Sequence, residues 1–273
     1  MKKSIFALTV ACILALLIVS GASAAEKSKE ETLDAAYEHL VKVMNPEEMK
    51  ELFALFDTMK DVGLSWNEDL LISYDNILAC KTKEQLYVLW GMGAMNLSYA
   101  MLFDKKPEGI LEGGREIDQR IGFPRAELRE ESFAYAKNRK GQASSSVDFI
   151  HAMLNKAKTD QAVLNTLVGG FYGSTLELFY LFSSLGLASG VTEEFVQFVN
   201  AHLPQLTIAQ EMLKAYSENR ELAQLLDTEN RKSVIDSIVG IITRDMGNLT
   251  EDDLKQILSI VKAVRDPLVA PCN

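Results

Sequence analysis

The chain has 273 residues and carries 38 Asp and Glu against 28 Lys and Arg, for a formal net charge of −10. A field of that sign argues against nucleic acid and anionic lipid surfaces as partners, and no strongly basic run interrupts it. Hydrophobic residues make up 48% of the sequence, which is too many for a disordered chain and enough for a substantial core.

At the N-terminus, Met1-Lys2-Lys3 gives a positive start and residues 5–19 form an apolar run broken only by Thr9. Ala22-Ser23-Ala24 then places small residues where a signal peptidase reads, so residues 1–24 are expected to be a secretory signal cleaved after Ala24. A retained anchor is the alternative, for which the run is short. Cys12 sits inside the apolar run rather than after it, which argues against a lipoprotein. Cleavage would remove two lysines and no acids, leaving 26 basic and 38 acidic residues and a net charge of −12. The mature chain would then be soluble in the periplasm, with no membrane span.

Residues 25–273 read as a single all-helical domain, with two helical subdomains meeting near 140–146 as the alternative. Periodicity is helical nearly throughout, and no convincing alternating strand occurs. A first helix is expected over 28–44, with Leu33, Ala36, Tyr37, Leu40 and Val41 on one face. Asn45 and Pro46 open a second, which runs to 61 and stops at Gly63. Residues 64–81 are the least regular segment, a long loop with a short helical turn. Thr82 and Gln85 match a capping box and open a helix to 103 that lacks any Asp, Glu, Lys or Arg over 85–103. Pro107 and Pro124 announce helices over 107–121 and 124–139, and 141–146 is a small-polar linker.

A short helix over 147–156 follows. Thr159 is expected to cap a second uncharged stretch, 161–192, in which Glu177 is the one charged residue. Thr192 caps the next helix, bent or ended near Pro204. Residues 207–269 hold about three or four amphipathic helices, the last capped by Thr250 with Asp253 and stopped by Pro267. The expectation is an all-α bundle of about ten helices around two buried uncharged ones.

Polar groups at the centres of those two stretches are the strongest clue to a site. Asn96 and Tyr99 lie three apart, as do Glu177 and Tyr180, so each pair shares a helix face. A buried Glu177 needs a hydrogen-bonding partner, a cation or a raised pKa, and Asn96 or Tyr99 could donate to it. Two readings follow: a satisfied network that fixes helix register, or a mostly apolar pocket in which Asn96, Tyr99, Glu177 and Tyr180 orient a ligand. Gly91, Gly93, Gly169, Gly170 and Gly173 on the same helices suit either close helix packing or room beside the backbone. The Asn96-Leu97-Ser98-Tyr99 and Glu177-Leu178-Phe179-Tyr180 segments also resemble each other, by duplication of a hairpin or by chance.

Other chemistry finds little support. His39, His151 and His202 have no metal-ligand spacing, and each reads as a surface or boundary residue. No Gly-x-Ser-x-Gly occurs, Ser144-Ser145-Ser146 lies in the linker, and a Cys-x-x-Cys pair is absent. No metal or cofactor is indicated. Cys80 and Cys272 remain after cleavage and are expected to pair in an oxidising compartment, with two free thiols as the alternative. The bond would pin the tail over 267–273 to the loop before the first uncharged helix and stabilise by about 4–5 kcal/mol in the chain-entropy model.

Gly91-Met-Gly-Ala-Met-Asn-Leu-Ser-Tyr-Ala100 resembles a Gly-x-x-Gly/Ala-x-Asp/Asn-Leu-Ser/Ala-Tyr-Ala motif of a family of exported, all-helical bacterial proteins with no established activity. Ser174-Thr175-Leu176-Glu177-Leu178-Phe179-Tyr180 is similar to a second motif of that family, Gly-Gly-Trp-Ile-Glu-x-Leu-Tyr, with Thr175 in place of its Trp. The closing helix with Val264-Arg265-Asp266 looks like the family's C-terminal helix. The resemblance implies a helical architecture and export, draws attention to Asn96, Tyr99 and Glu177, and carries no mechanism.

The functional expectation is a non-enzymatic binding or interaction protein with a largely apolar core site. Its partner would be a small apolar or amphipathic ligand or an envelope protein. An enzyme using Glu177 as general acid or base is one alternative, and a purely structural envelope protein is another.

Overall fold

Every regular element among the described residues is a helix, so the all-α expectation holds. In this computed structural model the described residues are 38, 41, 58–138, 146–217, 227–244 and 248–272. The expected signal segment, most of the helices over 28–44 and 45–61, and the linker over 141–145 lie outside them.

Two short 3-10 turns, Thr58–Lys60 and Glu68–Leu70, flank an otherwise irregular segment that leads to α1 (Lys83–Leu102). The capping box at its start is complete: Thr82 Oγ1 accepts from the Gln85 amide, and the Gln85 side chain accepts from the Thr82 amide. α2 (Glu108–Ile121) starts after Pro107 and ends at Gly122, which takes the left-handed φ of 75° that closes a helix. α3 (Arg125–Asn138) and α4 (Ser146–Ala157) follow.

The 29-residue α5 (Gln161–Ser189) is capped by Asp160, not by Thr159. One position closer to the helix, the Asp160 carboxylate accepts from the Ala162 and Val163 amides, while the Thr159 hydroxyl turns back to the Lys156 carbonyl. Thr192 caps α6 (Glu193–Ala201) as expected. The chain turns at His202 and re-enters helix as α7 (Leu203–Ser217), so the break falls just before Pro204. α8 (Thr228–Thr243) and α9 (Glu251–Val269) complete the described helices, with Thr250 and Asp253 forming a second capping box. Pro267 does not stop α9 but lies within its last turn, where a missing N–H removes only one bond. Lys81 Nζ donates to the Pro267 and Ala270 carbonyls, placing a cation at the negative end of that helix.

Helix α5 packs against α1, α4, α7 and α9, and its buried residues cover nearly its whole circumference. By contrast, α1 buries Leu86, Leu89, Met92, Asn96 and Tyr99 but leaves Ala94, Ser98 and Met101 exposed. Freedom from charge thus marks two different environments, because small and neutral residues tolerate solvent without cost. Helices α1 and α5 run in the same sense, since Tyr87 meets Gly169 and Asn96 meets Glu177 further along both. Glycine sets their separation: a Cβ on Gly91 would fall on the Gly170 carbonyl, and one on Gly173 on the Val88 carbonyl. Helix α9 crosses α5 in the opposite sense, with Leu254 near Gly186 and Arg265 near Glu177.

Cys80 and Cys272 stand at disulfide-bonding distance, their Cα atoms 5.6 Å apart. The Cys272 amide also donates to the Asn76 carbonyl at 2.7 Å, so the C-terminal tail lies along the segment before α1.

Candidate functional site: a buried polar centre and the cleft beside it

Glu177 faces the crossing of α5 with α1 and α9 and is 0% exposed, as is Asn96. Asn96 Nδ2 donates to Glu177 Oε1 at 2.6 Å, and Asn96 Oδ1 accepts from the Ile72 amide at 2.7 Å. Arg265 closes the other side. Its Nε donates to Glu177 Oε2 at 2.7 Å and its Nη2 to Oε1 at 2.9 Å, a forked ion pair. The same Nη2 reaches the Leu70 carbonyl at 3.2 Å. The guanidinium lies 3.8 Å from the centre of the Tyr180 ring and is 6% exposed. Burial works to lower the Arg265 pKa, but the hydrogen bonds and charge of Glu177 outweigh it and hold the group above its ordinary value. Tyr180 is pushed up by burial, against the charge of Arg265.

These contacts join three helices to the irregular 70–72 segment through groups that satisfy one another. Of the four residues singled out in the sequence, Asn96, Glu177 and Tyr180 meet here. Tyr99 does not touch Glu177. Its hydroxyl donates to the Ser65 carbonyl at 2.9 Å and accepts from the Asn67 amide at 2.8 Å, while its ring stacks on Trp66. Burial raises the Tyr99 pKa, opposed by the Asn67 amide. Tyr74, which sequence reasoning missed, lies close by. Its hydroxyl donates to the Leu89 carbonyl at 3.3 Å, and its pKa is raised by burial first and by the Glu177 charge second.

Arg265 was the larger omission, and a signal for it existed. It falls on the apolar stripe of α9 formed by Leu254, Ile257, Val261 and Leu268, where a charged residue needs a buried partner. His202, read as a surface or boundary residue, is 1% exposed. Its ring packs between Phe182 and Phe198, and Nδ1 donates to the Phe198 carbonyl at 2.9 Å. At the end of α6 an unsatisfied carbonyl gives a histidine a reason to be buried. Burial depresses its pKa, partly offset by that hydrogen bond.

About one and a half helical turns before Glu177, at Tyr172, α5 opens onto a cleft of about 450 Å3 between the start of α1, the start of α8 and the end of α9. Tyr172 forms its floor at 2% exposure, and the Arg231 guanidinium lies 5.3 Å from the Tyr172 ring centre. The Tyr172 hydroxyl and Arg231 Nη1 are buried, and neither has a hydrogen-bond partner among the described residues. Val88, Val264 and Leu268 supply apolar wall, and the half-buried Glu84 and the exposed Asp227 stand at the rim. Burial raises the Tyr172 pKa to about 12 against the pull of Arg231, and burial lowers that of Arg231. The wall from α9 is held in place by the Cys80–Cys272 pair a few residues away.

Among the described residues, no three His, Cys, Asp or Glu side chains converge as metal ligands, and no helix is long and apolar enough to cross a membrane. Comparison with protein-family models, with curated proteins and with solved structures finds no match.

Proposed function

We propose that this chain is an exported, non-enzymatic binding protein that takes a small amphipathic molecule in the cleft beside Tyr172 and Arg231. The carrying observation is a pair of buried groups at that cleft, the Tyr172 hydroxyl and Arg231 Nη1, which have no hydrogen-bond partner among the described residues and are set against apolar wall. A buried hydrogen-bonding group left unpaired costs about 1–3 kcal/mol, so a ligand that pairs with both recovers that cost on binding. Asn96, Glu177, Arg265 and Tyr180 are then the scaffold that keeps two cleft-lining helices, α1 and α9, fixed on α5. The enzymatic alternative needs a carboxyl group within reach of substrate, whereas both Glu177 oxygens are engaged and the residue is 0% exposed.

The signal-like N-terminus and the resemblance to exported helical proteins support a periplasmic location. Protein recovered from the periplasm should begin at Ala25 on N-terminal sequencing; a chain retaining residues 1–24 would contradict export by cleavage. Native mass spectrometry of that material should show a bound small molecule that is released on unfolding. A bare polypeptide mass that stays bare after incubation with a periplasmic extract would contradict the binding reading.

A further inference from the structure

Resting on that binding reading, we infer that the cleft's ligand is a monocarboxylate with an apolar tail, its head held by Arg231 and Tyr172 and its tail laid along Val88, Val264 and Leu268. Each part of the assignment comes from what the groups can do. A guanidinium carries only donors, so the ligand must present an acceptor to Arg231 Nη1, which excludes an ammonium head. The Tyr172 hydroxyl can donate to the same acceptor group, because Arg231 lies over its ring on the same wall of the cleft. A full negative charge suits that acceptor best, since a guanidinium that burial partly desolvates, and whose Nη1 has no hydrogen-bond partner among the described residues, gains most from a charged one. Asp227 and Glu84 stand at the rim and both act electrostatically on Arg231. Those two carboxylates repel any anion, a dianion about twice as strongly as a monoanion, so a single negative charge suits the head better than a phosphate dianion. Val88, Val264 and Leu268 form an apolar strip beside the polar lining of Thr82, Gln85 and Asn230, and a tail laid along that strip is hydrocarbon.

The test uses octanoate, with octanol and octylamine as probes of the same tail, titrated calorimetrically into the disulfide-intact mature protein. Octanoate should bind saturably, octanol roughly tenfold or more weakly for lack of a charge-assisted bond, and octylamine not measurably. Arg231→Gln should weaken octanoate by roughly tenfold or more, and Tyr172→Phe by about 3- to 10-fold. Tyr172→Phe should melt no lower than the parent, because the hydroxyl it removes has no hydrogen-bond partner among the described residues. Arg231→Gln also gives up its contact with the Tyr172 ring, so its melting temperature is measured beside its affinity to separate loss of binding from loss of fold. Tighter binding of octanol or octylamine than of octanoate would overturn the carboxylate assignment and leave the binding reading standing. Octanoate binding that is indifferent to Arg231→Gln would overturn the assignment as well. Failure of all three probes, together with a bare mass in the native spectrum, would sink both.

Discussion

Glu177 shows what a single charge in this interior does. It is held by Asn96 and by a forked bond from Arg265, so its removal strands a guanidinium that is 6% exposed. Breaking one side of such a pair costs about 3–5 kcal/mol, and urea unfolding of Glu177→Gln should show a loss of that order. A loss within experimental error would mean that Arg265 reaches water once released. His202 gives a second residue-scale expectation, with a definite sign. Its pKa is depressed by burial below the ordinary 6.5, so between the depressed value and 6.5 the unfolded chain binds more protons than the folded one. The stability it contributes is therefore complete above about pH 6.5 and is lost as pH falls toward the depressed value. The melting temperature should drop between about pH 7 and pH 5, and His202→Phe should flatten that part of the profile. An unchanged slope in the variant would locate the titrating group elsewhere.

At the scale of elements, the α1–α5 contact is set by glycine, and the two signs of a Gly→Ala change separate packing from propensity. Gly91→Ala would drive a methyl onto the Gly170 carbonyl, a backbone atom that cannot rotate away. That should destabilise by about 1–3 kcal/mol despite the better helix propensity of alanine. Gly114→Ala on α2 meets nothing within 4 Å and should stabilise by about 0.4–1 kcal/mol. Chemical denaturation of the two variants should move in opposite directions; a shared sign would mean that the helices can slide apart. Helix starts were the most legible feature of the sequence, because Thr82, Thr192 and Thr250 act through contacts within one turn. The interior of the site was legible only in half. Asn96 and Glu177 announce themselves as polar groups in uncharged helices, but pairing Glu177 with Arg265 depends on how α9 crosses α5, 88 residues away. The Tyr172–Arg231 cleft was not legible at all, since four separate segments must converge before either group is buried.

On the scale of the whole molecule, the Cys80–Cys272 pair closes a loop of 192 residues. The chain-entropy model gives about 5 kcal/mol for a loop of that length, and reduction should lower the denaturant midpoint accordingly. Reduction should also weaken octanoate binding, because the end of α9 that carries Leu268 is tethered by that bond beside the start of α1. Unaltered affinity after reduction would show that Lys81, bonded to the Pro267 and Ala270 carbonyls, suffices to hold the wall. In the proposed reading the polar centre and the cleft divide the work: one fixes how α1, α5 and α9 cross, and the other uses the gap that crossing leaves. A crystal structure of the mature protein with octanoate tests this division most directly. The account predicts the carboxylate within hydrogen-bonding distance of Arg231 Nη1 and the Tyr172 hydroxyl, with the Glu177–Arg265 bond intact. A ligand seated against Glu177 with Arg265 displaced would contradict it.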